Sequence, residues 1–140
     1  MDDNPYGNGP LKKGQHPEAN LLYPELSREV IGGAMEVSNK LGPGLREKAY
    51  ERALCLELAK RQIPFSQQKV FEVRYDGELI DTLIPDLIVK DCLIVDTKVV
   101  AAFDQAHESQ MLTYLQITNP RLAILLNFKN RHLAWKRVVR

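Results

Sequence analysis

The sequence lacks most of the features that indicate a functional class directly. Its 140 residues carry a formal net charge of only +1 at pH 7. Overall charge therefore gives no attraction to nucleic acid, and binding would need a local basic patch. Two cysteines, Cys55 and Cys92, form no metal-type spacing, so we expect free thiols rather than a disulfide framework. The chain also contains no internal repeat and no Gly-rich phosphate loop.

Long apolar runs and clustered histidines are absent too. No stretch has the length of a membrane span, and the first residues contain no apolar signal region, so we expect a cytoplasmic protein. His16, His107 and His132 are scattered and form no zinc-binding pattern. What remains is a chain of ordinary globular composition, 44% hydrophobic and 26% charged, which is long enough for one buried core.

The chain divides into a short tail and one domain. Residues 1–20 contain three Pro and three Gly among polar residues, a composition typical of flexible segments. We therefore predict a flexible tail over residues 1–22 and a single domain over residues 23–140.

Alternating helical and strand patterns follow in the domain. Apolar residues recur at helical spacing in three stretches, and the predicted helices are 27–41 with Ser27 as N-cap, about 45–61, and about 105–117 with Asp104 as cap. Strands are predicted around the Asp76-Gly77 hairpin turn, over the apolar run 122–126, and over 132–139. This order predicts a compact α/β domain with a mixed sheet flanked by helices.

The stretch 84–100 carries the chemistry. It contains two apolar strands joined by a turn at 90–92, and it is interrupted by Asp86, Asp96 and Lys98. If Val89 pairs with Leu93, Asp86 lies opposite Asp96, and two facing carboxylates destabilise a strand pair. A divalent cation between them would remove the conflict, and Lys98, on the same face as Asp96, would offset it in part.

Several motifs in the sequence resemble those of one family. Pro85-Asp86 followed by Asp96-Thr97-Lys98 resembles the PD-(D/E)XK nuclease signature, and 44–50 reads GxxExxY. With the helical stretch 110–115 and the apolar run 122–128, this order is similar to that of the small bacterial "GxxExxY protein" family, which belongs to the PD-(D/E)XK superfamily. The resemblance covers roughly residues 26–137.

The resemblance implies a restriction-endonuclease-like fold and a nuclease that acts on DNA or RNA with Mg²⁺ or Mn²⁺. Lys98 would position or help to deprotonate the attacking water, and Gln110 would orient water or a phosphate oxygen. Tyr50 is interpreted as structural. The implied catalytic residues are Asp86, Asp96, Lys98, Glu47 and Gln110, and the implied metal ligands are Asp86, Asp96, Glu47 and the backbone carbonyl of Thr97.

Two alternatives stay open at this point. The acids and the lysine could form a structural ion-pair network at a sheet edge. The chain could also be a catalytically weak or inactive module with this fold that binds nucleic acid or a protein partner. One departure bears on this alternative: Asp96 stands where close relatives commonly carry Glu, and the shorter side chain could change the metal geometry.

Basic residues are concentrated near the C-terminus, although the net charge of the whole chain is close to zero. Lys129, Arg131, Lys136 and Arg137 lie among the last twelve residues and are predicted to contact the phosphate backbone of a nucleic acid. The other interpretation is an edge strand that charge protects from aggregation. Cleavage of both strands of a duplex needs two active sites or two visits of one, so a homodimer is a further possibility.

Overall fold

Three helices and seven strands make up residues 22–140, which are the residues that the computed structural model describes. The tail predicted for residues 1–22 therefore lies outside the described residues, apart from Leu22, which packs against the core. In chain order the elements are α1 Pro24–Leu41, α2 Glu47–Lys60, β1 Phe65–Gln67, β2 Phe71–Tyr75, β3 Glu78–Leu83, β4 Leu87–Val89, β5 Leu93–Lys98, α3 Gln105–Ile117, β6 Leu122–Asn127 and β7 Ala134–Val139.

The main sheet has five strands in the order β1-β4-β5-β6-β7. The β5–β6 pair is parallel, and the other pairs are antiparallel. β2 and β3 form a separate hairpin, closed by Asp76 and Gly77 in the left-handed region with φ of 49° and 82°. The predicted mixed sheet and hairpin are both confirmed; β7 begins at Ala134, two residues after its predicted start.

The register of β4 on β5 is the one that the sequence predicts. Val89 pairs with Leu93 and Leu87 pairs with Val95. Lys90 and Asp91 form the turn between the two strands, and both have backbone angles in the left-handed region. Pairing stops at Leu87, one residue after Asp86, so the chain leaves the ladder at the position of the first predicted acid.

Each face of the main sheet is covered by helix. On one face Leu93 and Val95 pack in a core with residues of α1 and α2. On the other face Ile94 packs with Met111 and Leu115 of α3. Side chains alternate along a strand, so Asp96 continues the Ile94 side, which faces α3.

The first helix begins earlier than predicted. Ser27 was expected at the N-cap, but the helix begins at Pro24 with Tyr23 as the cap residue, and Ser27 is buried inside it. Proline suits the first helical position because its φ is already helical and it lacks the N–H that would be left unpaired there. The prediction for α3 is confirmed, since the Asp104 carboxylate accepts from the N–H of His107 at 2.9 Å.

Two smaller expectations concern the thiols and the membrane. Cys55 and Cys92 are both free thiols, as expected. Among the helices of residues 22–140, none is both long and apolar enough to cross a bilayer.

Candidate active site

Asp86 is held by the middle residue of the Asp96-Thr97-Lys98 motif. Its Oδ2 accepts from the backbone N–H and from the Oγ1 hydroxyl of Thr97, both at 2.9 Å. The N–H and C=O of one strand residue point to the same side, and those of the next residue point to the other. Because the Lys98 carbonyl accepts from the Phe128 amide on the β6 side, the Thr97 carbonyl points to the side of Asp86.

Asp96 and Lys98 form a short ion pair beside this contact. Lys98 Nζ lies 2.8 Å from Asp96 Oδ2, and the two side chains are only 15% and 6% exposed. Lys98 Nζ also donates to Gln110 Oε1 at 3.1 Å, as the sequence predicts. Burial alone would lower the pKa of Lys98, but the hydrogen bond and charge of Asp96 more than offset it and raise the pKa. Lys98 is therefore a firmly protonated cation at neutral pH.

The Asp86 carboxyl group titrates near neutrality. Burial, followed by the negative charge of Asp96, raises the pKa of Asp86 to about 7, against the hydrogen bonds from Thr97 that lower it. Repulsion between the two carboxylates, which the predicted register implies, therefore adds to the effect of burial, although Asp86 lies just outside the paired residues of β4. A group with such a pKa is partly protonated at neutral pH, and any nearby cation would favour its charged form.

Glu47 approaches the end of β5 from the first turn of α2. Its carboxyl group is at the surface and accepts a hydrogen bond from the backbone of Val99, just after β5. Partial loss of water raises the pKa of Glu47, Lys98 lowers it, and Asp96 raises it again, with a net upward direction. The structure therefore brings the motif glutamate within electrostatic reach of both Asp96 and Lys98.

The glycine and tyrosine of the GxxExxY motif position that glutamate. Gly44 has φ of 114°, which side chains rarely tolerate. The hydroxyl of Tyr50 donates to the Gly42 carbonyl at 2.6 Å and accepts from the Leu45 amide at 3.2 Å. The Tyr50 ring is buried and stacks on Phe128 at 4.7 Å. Tyr50 thus secures the loop before α2, in agreement with the structural role predicted for it.

The sequence reasoning missed Glu51, one turn after Glu47. It is 2% exposed and accepts from Gln67 Nε2 at 2.7 Å, Gln68 Nε2 at 2.9 Å and Lys48 Nζ at 3.2 Å. Burial alone would raise the pKa of Glu51, but these donors lower it overall. The backbone N–H of Gln68 also donates to the backbone carbonyl of Asp86 at 3.0 Å, so this network reaches the backbone of Asp86.

Asn127 and Tyr114 were also missed. The buried Asn127 side chain accepts from the Val100 amide at 3.2 Å and donates to the Val100 carbonyl at 2.8 Å, which holds the loop that follows β5. Tyr114 accepts from Gln110 Nε2 at 3.3 Å, and burial, then the charge of Asp96, raises its pKa. The spacing of four between Gln110 and Tyr114 on a helix was the available signal.

The oxygen atoms gathered here suit a hard cation. Asp86, Asp96 and the Thr97 carbonyl are oxygen donors of the kind that Mg²⁺ prefers, and Mg²⁺ commonly uses only one or two carboxylates and keeps several waters. Among residues 22–140, no group of three or more His, Cys, Asp or Glu is arranged to hold a metal ion. The two-carboxylate set fits a divalent cation because burial and the charge of Asp96 raise the pKa of Asp86, and a cation would favour its charged form. The ligand roles of Asp86, Asp96, Thr97 and Glu47 remain predictions.

The four basic residues predicted to contact nucleic acid do not share one surface. The Lys136 ammonium group pairs with Glu108. Arg137, next to it on β7, is 9% exposed and donates to the Leu22 carbonyl at 2.9 Å. Lys129 and Arg131 are exposed in the loop between β6 and β7. β7 is an edge strand of the main sheet, so both interpretations of the basic C-terminus remain predictions.

Comparisons with known proteins agree with this fold. A model of the PD-(D/E)XK nuclease superfamily matches residues 24–138. The crystal structure of SSO0001 matches with a TM-score of 0.55 at 14% identity, over 66% of this chain and 49% of that one, so this chain spans about half its length. The alkaline exonuclease LHK-Exo from Laribacter hongkongensis matches with a TM-score of 0.50 at 12% identity, over 81% of this chain and 70% of that one. No curated protein matches. At these identities the structural likeness concerns the fold alone.

Proposed function

This chain belongs to the PD-(D/E)XK nuclease superfamily, and from that premise we propose that it is a metal-dependent nuclease that hydrolyses phosphodiester bonds in DNA or RNA. The observation that supports this most directly is the meeting of Asp86, Asp96 and Lys98 at the end of β5, where Asp86 has a pKa of about 7. Two carboxylates that repel each other beside a partly buried cation suit a site that holds a metal and an anionic substrate.

Oxygen atoms of the acids and of Thr97 would hold the metal ion. Asp86 and Asp96 supply two carboxylate ligands, the Thr97 carbonyl supplies a third oxygen, and Glu47 contributes directly or through water. Mg²⁺ or Mn²⁺, when bound, supplies charge neutralisation and a bound water of lowered pKa. The hydrogen bonds from Thr97 to Asp86 keep one oxygen of that carboxylate in place and leave the other for a ligand.

Lys98 acts as a fixed positive charge. Its raised pKa means that it does not accept a proton from water at neutral pH, so of its two predicted roles we favour positioning of water and phosphate. Two of its protons face Asp96 and Gln110, and the third is available to a phosphate oxygen, where it stabilises charge that develops during attack. Gln110 keeps the ammonium group in this orientation.

A second function is favoured by one observation. No three acidic or other metal-binding side chains among residues 22–140 are arranged around one point. The family resemblance, in addition, implies a longer Glu at the position of Asp96. A module that keeps the fold and binds nucleic acid or a protein partner with little catalysis would have such a site.

Calorimetric titration with Mn²⁺ separates these functions without a choice of substrate. We expect saturable binding by the wild type, loss of binding in Asp86→Ala and Asp96→Ala, and unchanged binding in Asp81→Ala, which removes an exposed acid of the hairpin. Cleavage of mixed single- and double-stranded DNA and RNA is then measured on the same proteins. Binding without cleavage of any substrate, or the same cleavage in all variants, would reject the proposed nuclease.

A further inference from the structure

An open cavity lies between the C-terminal end of α1 and the loop that joins β6 to β7. It has a volume of about 430 Å³, and the residues that line it are Ser38, Asn39, Gly42, Pro43, Arg131 and His132. None of these six residues is acidic. Four of them carry side chains that can donate hydrogen bonds, so the lining is suited to an anion.

The two basic side chains in this lining are not used within the fold. Arg131 and His132 are exposed, and neither side chain makes a hydrogen bond or an ion pair with any of residues 22–140. Two other lysines are paired: Lys40, near the same end of α1, lies 3.2 Å from Glu36, and Lys136 pairs with Glu108. The guanidinium and imidazole groups therefore remain available to a ligand.

Direct contacts connect the cavity to the acid site. The Phe128 amide donates to the Lys98 carbonyl, and Arg131 follows Phe128 by three residues in the same loop. The opposite wall begins at Gly42, whose carbonyl accepts from Tyr50, the residue stacked on Phe128. Gly42 and Glu47 are five residues apart, which limits the separation of their Cα atoms to about 17 Å.

We propose that this cavity is a subsite for a backbone phosphate of the nucleic-acid strand bound at the acid site, an inference that rests on the proposed function. Arg131 supplies a planar guanidinium that matches phosphate geometry, and His132 and Asn39 supply further donors. A separation of at most about 17 Å corresponds to at most roughly five nucleotides of a stacked strand at about 3.4 Å each. Such a contact offsets the repulsion between the strand and the carboxylates of the site.

A purely structural role for the same two residues makes a different prediction. Arg131 and His132 lie beside the C-terminal end of α1, where positive charge is favourable to the helix. In that case their removal lowers the melting temperature and leaves the affinity for nucleic acid unchanged.

The test measures binding of a labelled 20-nucleotide single strand, as DNA and as RNA, by fluorescence anisotropy in EDTA over a range of salt. Arg131→Ala and the Arg131→Ala/His132→Ala double variant are compared with Lys60→Ala, which removes one exposed positive charge at the far end of α2. We expect severalfold weaker binding in the single variant, a larger loss in the double, and partial retention in Arg131→Lys. The slope of log K against log salt should fall by about 0.7 for each phosphate that the variant no longer neutralises.

Three results would overturn the subsite. The first is that the double variant binds the strand with the same affinity and salt slope as Lys60→Ala. The second is that the variants change only in melting temperature. The third is that inorganic phosphate displaces the strand at a concentration comparable to that of the strand, which would indicate a site for free phosphate. Because EDTA prevents metal-dependent cleavage, the two proposals fail separately. Weakened binding in Arg131→Ala with no wild-type cleavage rejects only hydrolysis, and unchanged binding in an active nuclease rejects only the subsite.

Discussion

Thr97 donates two hydrogen bonds to a single oxygen of Asp86, one from its backbone N–H and one from its hydroxyl, each at 2.9 Å. The middle residue of the Asp-x-Lys motif thus orients the acid that lies eleven residues before it. Any residue except proline supplies the backbone N–H, but only Ser or Thr also supplies a short hydroxyl at this place. The two donors favour the charged form of a carboxylate that burial and Asp96 drive toward protonation.

We expect Thr97→Val to raise the pKa of Asp86 above about 7 and to weaken Mn²⁺ binding at pH 7. The replacement keeps the shape but removes the hydroxyl donor, so the neutral carboxyl becomes more favourable. Thr97→Ser, which retains the hydroxyl, serves as the control. The pKa of Asp86 is measured by carboxyl ¹³C NMR and the Mn²⁺ affinity by calorimetry. An unchanged pKa in the valine variant would show that the hydroxyl does not stabilise the charged carboxylate.

The raised pKa of Asp86 also makes stability depend on pH. The folded-state pKa of about 7 exceeds the ordinary aspartate value of 3.8, so between these values the folded protein binds the proton more tightly than the unfolded chain. Stability is therefore greatest below about pH 4 as far as this group is concerned, and it declines as pH rises through 7.

We therefore expect metal-free Asp86→Asn to be more stable than the wild type at pH 8, by at most about 4 kcal/mol. The amide keeps an oxygen that accepts from Thr97 but carries no charge. Urea unfolding at pH 5 and pH 8 measures the difference, which should shrink at the lower pH and when Mn²⁺ is added to the wild type. A difference that is the same at both pH values contradicts the assignment of the pKa.

The central strand pair could be predicted from the sequence because its information is local. The turn at Lys90 and the alternation of apolar residues determine the register, and the register determines which face carries Asp96 and Lys98. Gln110 follows from helical spacing in the same way. The start of α1 could not be predicted in the same way, since Ser27 and Pro24 are both good helix-start signals. In the structure the helix begins at Pro24.

The support of the site was missed because it is not local. Glu51 has the appearance of an ordinary helical glutamate, and its amide donors lie 16 and 17 residues further along the chain. Whether β1 comes beside α2 depends on packing of the whole sheet, which no sequence window contains. The same holds for Arg137, whose partner Leu22 is 115 residues away.

We expect Glu51→Ala to lower the free energy of unfolding by about 2–4 kcal/mol, because the hydrogen bonds that Gln67 and Gln68 donate to the buried carboxylate are lost and a cavity remains. Glu51→Gln should cost less, since its oxygen still accepts from one of them. Glu36→Ala, on α1 and paired with Lys40 near the surface, is the control and should change stability by under about 1 kcal/mol. Urea denaturation measures all three, and equal losses for Glu51→Ala and Glu36→Ala would contradict a specific role of the buried Glu51 carboxylate.

Lys98 provides the sharpest separation of metal binding from catalysis. We expect Lys98→Met to lower the cleavage rate by about 100- to 1,000-fold, because a preorganised charge near the attacked phosphate is lost. Mn²⁺ affinity should be retained or increased, since the replacement removes a positive charge 2.8 Å from Asp96. Asp86→Ala should instead lose both. Gln110→Ala, which removes the acceptor that orients the ammonium group and the donor to Tyr114, should reduce the rate by a smaller factor and leave metal affinity unchanged. Parallel calorimetry and single-turnover cleavage distinguish these patterns, and loss of metal binding in Lys98→Met would mean that the lysine maintains the carboxylate geometry rather than acting on the substrate.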